Sequence, residues 1–231
     1  MAGPHTARAR ARTQMLDDIK REALRQLAAD GAAGLSLRAV ARELGVVSSG
    51  LYRYYANRDE LLTALIVDAY DDLAGAITRA VGGVPGPEHR LRWIAACGAL
   101  RQWAGQQPAR FSLLYGSPVP GYRAPGTTIE PATRVIVALL GGLADAARDG
   151  ALAARPEPAP TDLREQLTAM AAGLKLDLPP GPLVRAVGAF AELIGLITLE
   201  LGGHFVGGFE PADTLFAHSV ADLADRVGLG E

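Results

Sequence analysis

Three observations predict an all-α chain. Apolar residues recur at helical spacing in each long segment, and no stretch of any length keeps the two-residue alternation of a strand. Clusters of Gly and Pro at 82–87, 116–126 and 150–160 then cut the chain into helix-length pieces. The expected architecture is a three-helix N-terminal domain over residues 1–58 and a larger helical domain over residues 59–231. With 231 residues, 49% of them hydrophobic, the chain can bury one sizeable core or two smaller ones.

Leu16, Ile19, Ala23 and Leu27 repeat at helical spacing up to Gly31 and predict the first helix. Ser36 is a strong N-cap, and Leu37, Val40, Ala41 and Leu44 follow as one apolar stripe. Gly45 ends that helix where a left-handed residue is cheapest, and Val46 returns to the core. A further helix is expected from about Val47 to Tyr55. Two short helices joined by a glycine turn are the signature of a helix-turn-helix. Asn57, with Glu60 three residues on, forms a capping box. It opens a helix through Leu61, Leu65, Ile66, Ala69, Leu73 and Ile77 to about Ala80.

Ser48, Ser49, Gly50, Tyr52, Arg53 and Tyr54 give the second short helix a small, hydroxylated, aromatic and basic surface. Such a surface suits major-groove base edges and phosphates, with Leu51 and Tyr55 turned inward. Tyr52 and Arg53 are the expected groove contacts, and Arg38, Tyr54 and Arg58 the expected phosphate contacts. Arg58 opposes the dipole of its own helix unless a phosphate lies nearby. Residues 1–58 hold ten Lys/Arg against five Asp/Glu, while residues 59–231 hold thirteen against twenty. A basic head on an acidic body is the layout of a protein that meets nucleic acid with one end. The first dozen residues, with Arg8, Arg10 and Arg12, read as a flexible basic arm that either touches the DNA backbone or minor groove or is a solvated tail.

The set Gly31, Leu35-Ser36, Val40-Ala41, Leu44-Gly45-Val46, Leu51-Tyr52, Tyr55, Asn57, Arg58 and Leu61-Leu62 resembles the DNA-binding domain of the TetR/AcrR family of bacterial regulators. The chain departs from that pattern at Val47, where the family usually has Ser or Thr, and at Gly50, where it has Thr or Ala. Gly50 costs its helix about 1 kcal/mol relative to Ala and removes a side chain from the reading surface.

Beyond the 82–87 boundary, helices are expected over 88–105, from Pro108, over 127–149 with an interruption at Gly141-Gly142, from Thr161 to about Leu174, over 183–206 and over 213–227. Gly188, Ala191, Gly195, Thr198 and Gly202 form a stripe of small residues that lets another helix approach closely, flanked by Ile194, Ile197 and Leu201. With Leu215, Phe216, Val220 and Leu223 of the last helix, it is read as half of a four-helix bundle across a two-fold axis. The alternative is burial inside one monomer. The run Leu113–Tyr122, with Ala124-Pro125, Leu199-Glu200 and Gly203-His204-Phe205, resembles the WHG-type C-terminal domain of some TetR-like regulators. Phe190 and Ile194 stand where that type shows Trp and His.

Glu200 and His204 share a helix face and are read as a structural pair rather than an acid/base dyad. His5, His89 and His218 show no metal-ligand spacing, and there is no Gly-rich phosphate loop or nucleophile elbow. No enzyme, metal or cofactor is expected. The resemblance implies an effector pocket among the central helices, for which Trp93, Cys97, Trp103, Phe111, Tyr115, Tyr122 and Phe190 are the available lining. A neutral, mostly apolar effector is expected there. Cys97 is the only cysteine, which excludes an internal disulfide and points to a reducing compartment, the cytoplasm. The most apolar stretch, 184–206, carries Glu192, Glu200 and His204, so no membrane span is expected. The sequence thus reads as a homodimeric, ligand-responsive regulator bound to an operator duplex, a repressor first and an activator second. An all-α enzyme or carrier using Glu200 and His204 comes third.

Overall fold

The computed structural model describes residues 4–153 and 160–230, so part of the expected 150–160 loop lies outside the described residues, as does the side chain of His5. Ten α-helices and one short 3₁₀ turn make up the described chain, with no strand. Two compact units form. The first comprises 1–69 and 107–129, and the second 70–106 and 130–231. The helix that follows the capping box contributes its beginning to one and its end to the other. Residues 59–69 thus sit in the first unit, because Leu61, Leu62 and Leu65 belong to its core.

In the first unit, α1 (Pro4–Gly34), α2 (Leu37–Glu43), α3 (Ser48–Leu51), the start of α4 (Arg58–Gly82) and α6 (Pro108–Tyr115) surround one apolar cluster. Ile19, Leu51, Leu61, Leu62 and Leu65 are almost fully buried in it. Each such side chain contributes about 1.5–3 kcal/mol through removal from water. α1 begins far earlier than expected: the basic arm is helical from Pro4 onward and carries Arg8, Arg10 and Arg12 on its first turns. The break falls at Gly31, whose φ of 70° and ψ of 175° lie outside helical values. The local capping expectations hold. Ser36 Oγ accepts from Ala39 N–H at 3.4 Å, Gly45 takes φ 65°, and Asn57 Oδ1 accepts from Glu60 N–H at 2.9 Å. The Glu60 carboxylate reaches back to Ala56 N–H at 2.7 Å, completing the reciprocal cap one residue earlier than a standard box.

The helix expected over 47–55 is one α-turn, Ser48–Leu51. Beyond it the chain tightens, with Tyr54 N–H bonded to Leu51 O at 2.8 Å in an i→i−3 step. Gly50, a weak helix former, sits in this short segment. Leu51 and Tyr55 nevertheless turn inward as expected, 1% and 7% exposed.

The second unit is built from the rest of α4, α5 (His89–Gln106), α7 (Ile129–Arg148), α8 (Thr161–Leu174), α9 (Pro180–Leu201) and α10 (Asp213–Val227). α7 runs through Gly141-Gly142 without the expected interruption, because Leu139, Leu140 and Leu143 on either side are buried and fix it. α9 starts and ends earlier than expected. Pro180 and Pro182 fit its first turn, and Gly203 and Gly207 take positive φ just past its end. The segment 126–148 and α9 are each long and apolar enough to cross a membrane by length and composition alone, and each carries a buried stripe of this unit, Leu139 and Leu143 in one, Leu183, Leu193 and Ile197 in the other.

Charged ties join elements distant in sequence. The Arg101 guanidinium donates to both Glu200 carboxylate oxygens at 2.8 and 2.5 Å and to Asp213 at 2.8 Å, while lying 4.7 Å over the Phe216 ring. The hydrogen bond to Glu200 raises the Arg101 pKa still further above neutrality. Glu200 is therefore held by Arg101, and His204 lies exposed in the turn beyond α9, so the expected Glu200–His204 pair does not form. Cys97 is fully buried, and burial pushes its thiol pKa up, which makes it a core residue rather than a nucleophile.

Candidate nucleic-acid interface

The helix-turn-helix is positioned by its buried side. Leu37, Val40 and Ala41 of α2 and Leu51 of α3 lock the two short helices onto α1, leaving the opposite side to solvent. On that side lie Val47, 74% exposed, Tyr52, 45% exposed, and the exposed Ser49, Arg53 and Arg38. Ser48 and Gly50 are half-buried. Arg38 and Arg53 meet no carboxylate among the described residues.

Two expected phosphate contacts are placed differently. Arg58 Nη2 donates to Ala32 O at 2.7 Å and its other terminal nitrogen lies 3.7 Å from Asp59, so it pins the turn after the Gly31 break to the start of α4. Tyr54 is half-buried against the core, and the Arg12 guanidinium stacks 5.2 Å from its ring centroid. Arg12, taken for part of a loose tail, is thereby fixed beside the reading turn. Val47 was also missed as a surface residue, although its departure from the family pattern was visible in the sequence. It presents an exposed apolar side chain just ahead of α3.

The expected effector lining is divided between the units. Phe111, Tyr115 and Tyr122 belong to the first, where Phe111 and Tyr115 pair at 5.3 Å and Tyr122 Oη shares a hydrogen bond with Thr63 at 2.9 Å. Trp93, Cys97, Trp103 and Phe190 belong to the second, and the first three are buried core. Among the described residues, two grooves of the second unit are lined by none of the seven. One, about 520 Å³, includes Arg101, Glu200, Leu201, Asp213 and Phe216. The other, about 510 Å³, includes Val81, Arg92, Val137, Ala138, Gly141, Gly142 and Asp145. In the latter, burial works against the Asp145 charge, but hydrogen bonds and charge from Arg92 and Arg148 outweigh it and hold the carboxyl below its usual range.

The expected dimer set is likewise split. Ile197, Phe216 and Val220 are buried inside the second unit, where they hold α10 against α9. Leu215 and Gly195 are half-buried, whereas Gly188, Ala191, Thr198 and Gly202 lie exposed with Val187 and Leu199 along the outer face of α9. Ile197 shares α9 with this exposed stripe but points the other way around it, whereas Phe216 and Val220 belong to α10.

Comparison with known proteins agrees with this geometry. The profile of bacterial regulatory proteins of the tetR family matches residues 19–65, and that of the tetracyclin repressor-like C-terminal domain matches 93–223. HTH-type transcriptional regulator Rv1816 of Mycobacterium tuberculosis is 40% identical over 196 residues, covering 84% of each chain. The crystal structure of regulatory protein SCO4313 superposes with a TM-score of 0.77 at 34% identity, covering 94% of this chain and 98% of that one. A protein of unknown function from Rhodococcus sp. RHA1 gives 0.67 at 25% identity, covering 92% of both. The chain belongs to the TetR family. It is a helix-turn-helix, DNA-binding regulator of transcription and not an enzyme.

Proposed function

We propose that the protein is a homodimeric repressor that leaves a near-palindromic operator when a small, mostly apolar effector binds. The observation that carries the DNA-reading part is the exposed face of Val47, Ser49, Tyr52 and Arg53, with Arg38 beside it, mounted on buried Leu51 and Tyr55. Tyr52 and Arg53 meet the major groove, and Arg38 meets phosphate, with Ser48, Ser49 and Gly50 allowing close approach. Tyr54 and Arg58 hold this surface in place through Arg12 and Ala32. Two such heads, set about one DNA turn apart (about 34–36 Å), read the two half-sites.

The exposed small-residue face of α9, from Gly188 to Gly202, supports a dimer interface in which a second copy packs closely. The run Leu113–Tyr122 supports assigning the second half to the WHG type. Effector binding selects a conformation whose heads no longer match the half-site spacing, which requires the ligand to bind that state more tightly than the DNA-bound one. The protein works in the cytoplasm, where its DNA is. Selection of duplexes from a random pool at near-physiological salt is the test. Enrichment of one near-palindrome bound far above random DNA supports the reading. Recovery of only weak, salt-sensitive binding without an enriched sequence overturns it.

A further inference from the structure

The two tryptophans of α5 are satisfied unequally. Trp103 donates its indole N–H to Asp72 at 3.0 Å. Trp93 is 2% exposed, and its Nε1–H meets no acceptor among the described residues. Buried indole N–H groups ordinarily find a partner, so an orphan of this kind calls for one.

Trp93 closes the inner end of the groove between α4, α5 and α7. A narrow space lined by Trp93, Leu139 and Leu143 shares Val81, Arg92, Ala138 and Gly142 with the 510 Å³ groove outside it. The inner space has no volume for a water molecule. The outer groove has the size of a small-molecule site, and its walls are Val81, Val84, Val137, Ala138 and the bare backbone of Gly141-Gly142. Its charged groups cancel, since Arg92 donates to Asp145 at 2.9 Å. Such a lining favours neither an anion nor a cation.

We infer that this groove is the effector site and that it takes a neutral aliphatic molecule bearing a carbonyl-type acceptor, which receives the Trp93 Nε1–H. The inference rests on the regulatory reading above and narrows it from an apolar effector to an apolar carbonyl compound. The acceptor reaches Trp93 only if α7 moves off α5, because the inner space beside the indole has no room even for a water molecule. Ligand entry is thus tied to a helix displacement. Thr78 and Val81 place α4 in the same wall, and α4 is the helix whose first turns carry Leu61, Leu62 and Leu65 of the first core.

The test uses the full-length protein with isotope-labelled tryptophan, a Trp103→Phe variant to assign the two indole resonances, and methyl octanoate, menthone and cyclododecanone as probes. At least one probe is expected to move the Trp93 indole N–H resonance downfield while that of Trp103 stays in place. Its affinity is expected to fall about tenfold in Trp93→Phe, the loss of one net hydrogen bond. Ala138→Leu, which narrows the groove and leaves Trp93 intact, is expected to weaken binding at least as much. Absence of any indole shift with all three probes up to their solubility overturns the inference, as does binding to Trp93→Phe within twofold of the parent. A parallel titration of the protein–operator complex separates the two claims. Indole shift with DNA release supports both, whereas an indole shift without release leaves the ligand site standing and overturns the effector reading.

Discussion

Five arginines of the second unit face carboxylates on other helices, whereas Arg38 and Arg53 of the helix-turn-helix face solvent. Arg90 meets Asp225, Arg92 meets Asp145, Arg101 meets Glu200 and Asp213, Arg134 meets Asp71, and Arg226 meets Glu192. Most of these ties join helices that are far apart in sequence. In the first unit, Arg21 and Arg25 pair locally along α1, Arg58 holds a carbonyl and Arg12 lies on a ring. Arg38 and Arg53 are left exposed without a carboxylate among the described residues. The same residue type is thus a fastening in one unit and an exposed cation without a carboxylate in the other. The difference teaches that charge count alone does not locate a DNA surface; what matters is which cations the protein leaves unneutralised.

Five substitutions break or sharpen this contrast. The largest effect is expected from Leu62→Ala, which empties a fully buried site of the first core and lowers stability by about 2–5 kcal/mol in urea titration. Operator binding falls with it. Arg101→Met follows, because Glu200 and Asp213 lose their shared partner. Both Arg101 and Glu200 are only about a quarter exposed, and a loss of about 1–3 kcal/mol is expected, read as a shift in urea midpoint with little direct change in DNA salt dependence. Gly50→Ala acts in the other direction. A Cβ there meets only Val47 Cγ2 at 3.8 Å, an ordinary contact, so about 0.5–1 kcal/mol of added stability is expected from thermal unfolding. Arg38→Ala and Arg53→Ala are expected to leave stability within about 0.5 kcal/mol.

What the sequence made legible was what neighbouring residues decide. Ser36, Gly45 and the Asn57–Glu60 cap set helix ends through contacts three or four residues away, and the structure has each of them. The inward turn of Leu51 and Tyr55 followed from periodicity. The length of the reading helix did not, because the chain tightens at Tyr54, whose ring is held by the core and by Arg12 from α1. Gly141-Gly142 looked like a break, since each glycine costs a helix about 1 kcal/mol, but the buried leucines around it outweigh that preference. Glu200 was paired with the wrong residue for a plainer reason. Its true partner, Arg101, lies 99 residues away, and no local pattern announces it. For the effector lining, aromatic content marks what is buried rather than which side of a helix a groove opens on, and Trp93 borders the narrow space inside the groove between α4, α5 and α7.

The salt dependence of operator binding tests the central claim most directly. On the selected duplex, the logarithm of affinity against the logarithm of salt concentration is expected to lose about 0.9 in slope in Arg38→Ala, which removes a phosphate contact, and less in Arg53→Ala, which removes a groove contact. The slope of Arg101→Met is expected to match the parent. Unchanged slope in the Arg38→Ala/Arg53→Ala double variant, with its fold intact, would contradict the assignment of this face to DNA.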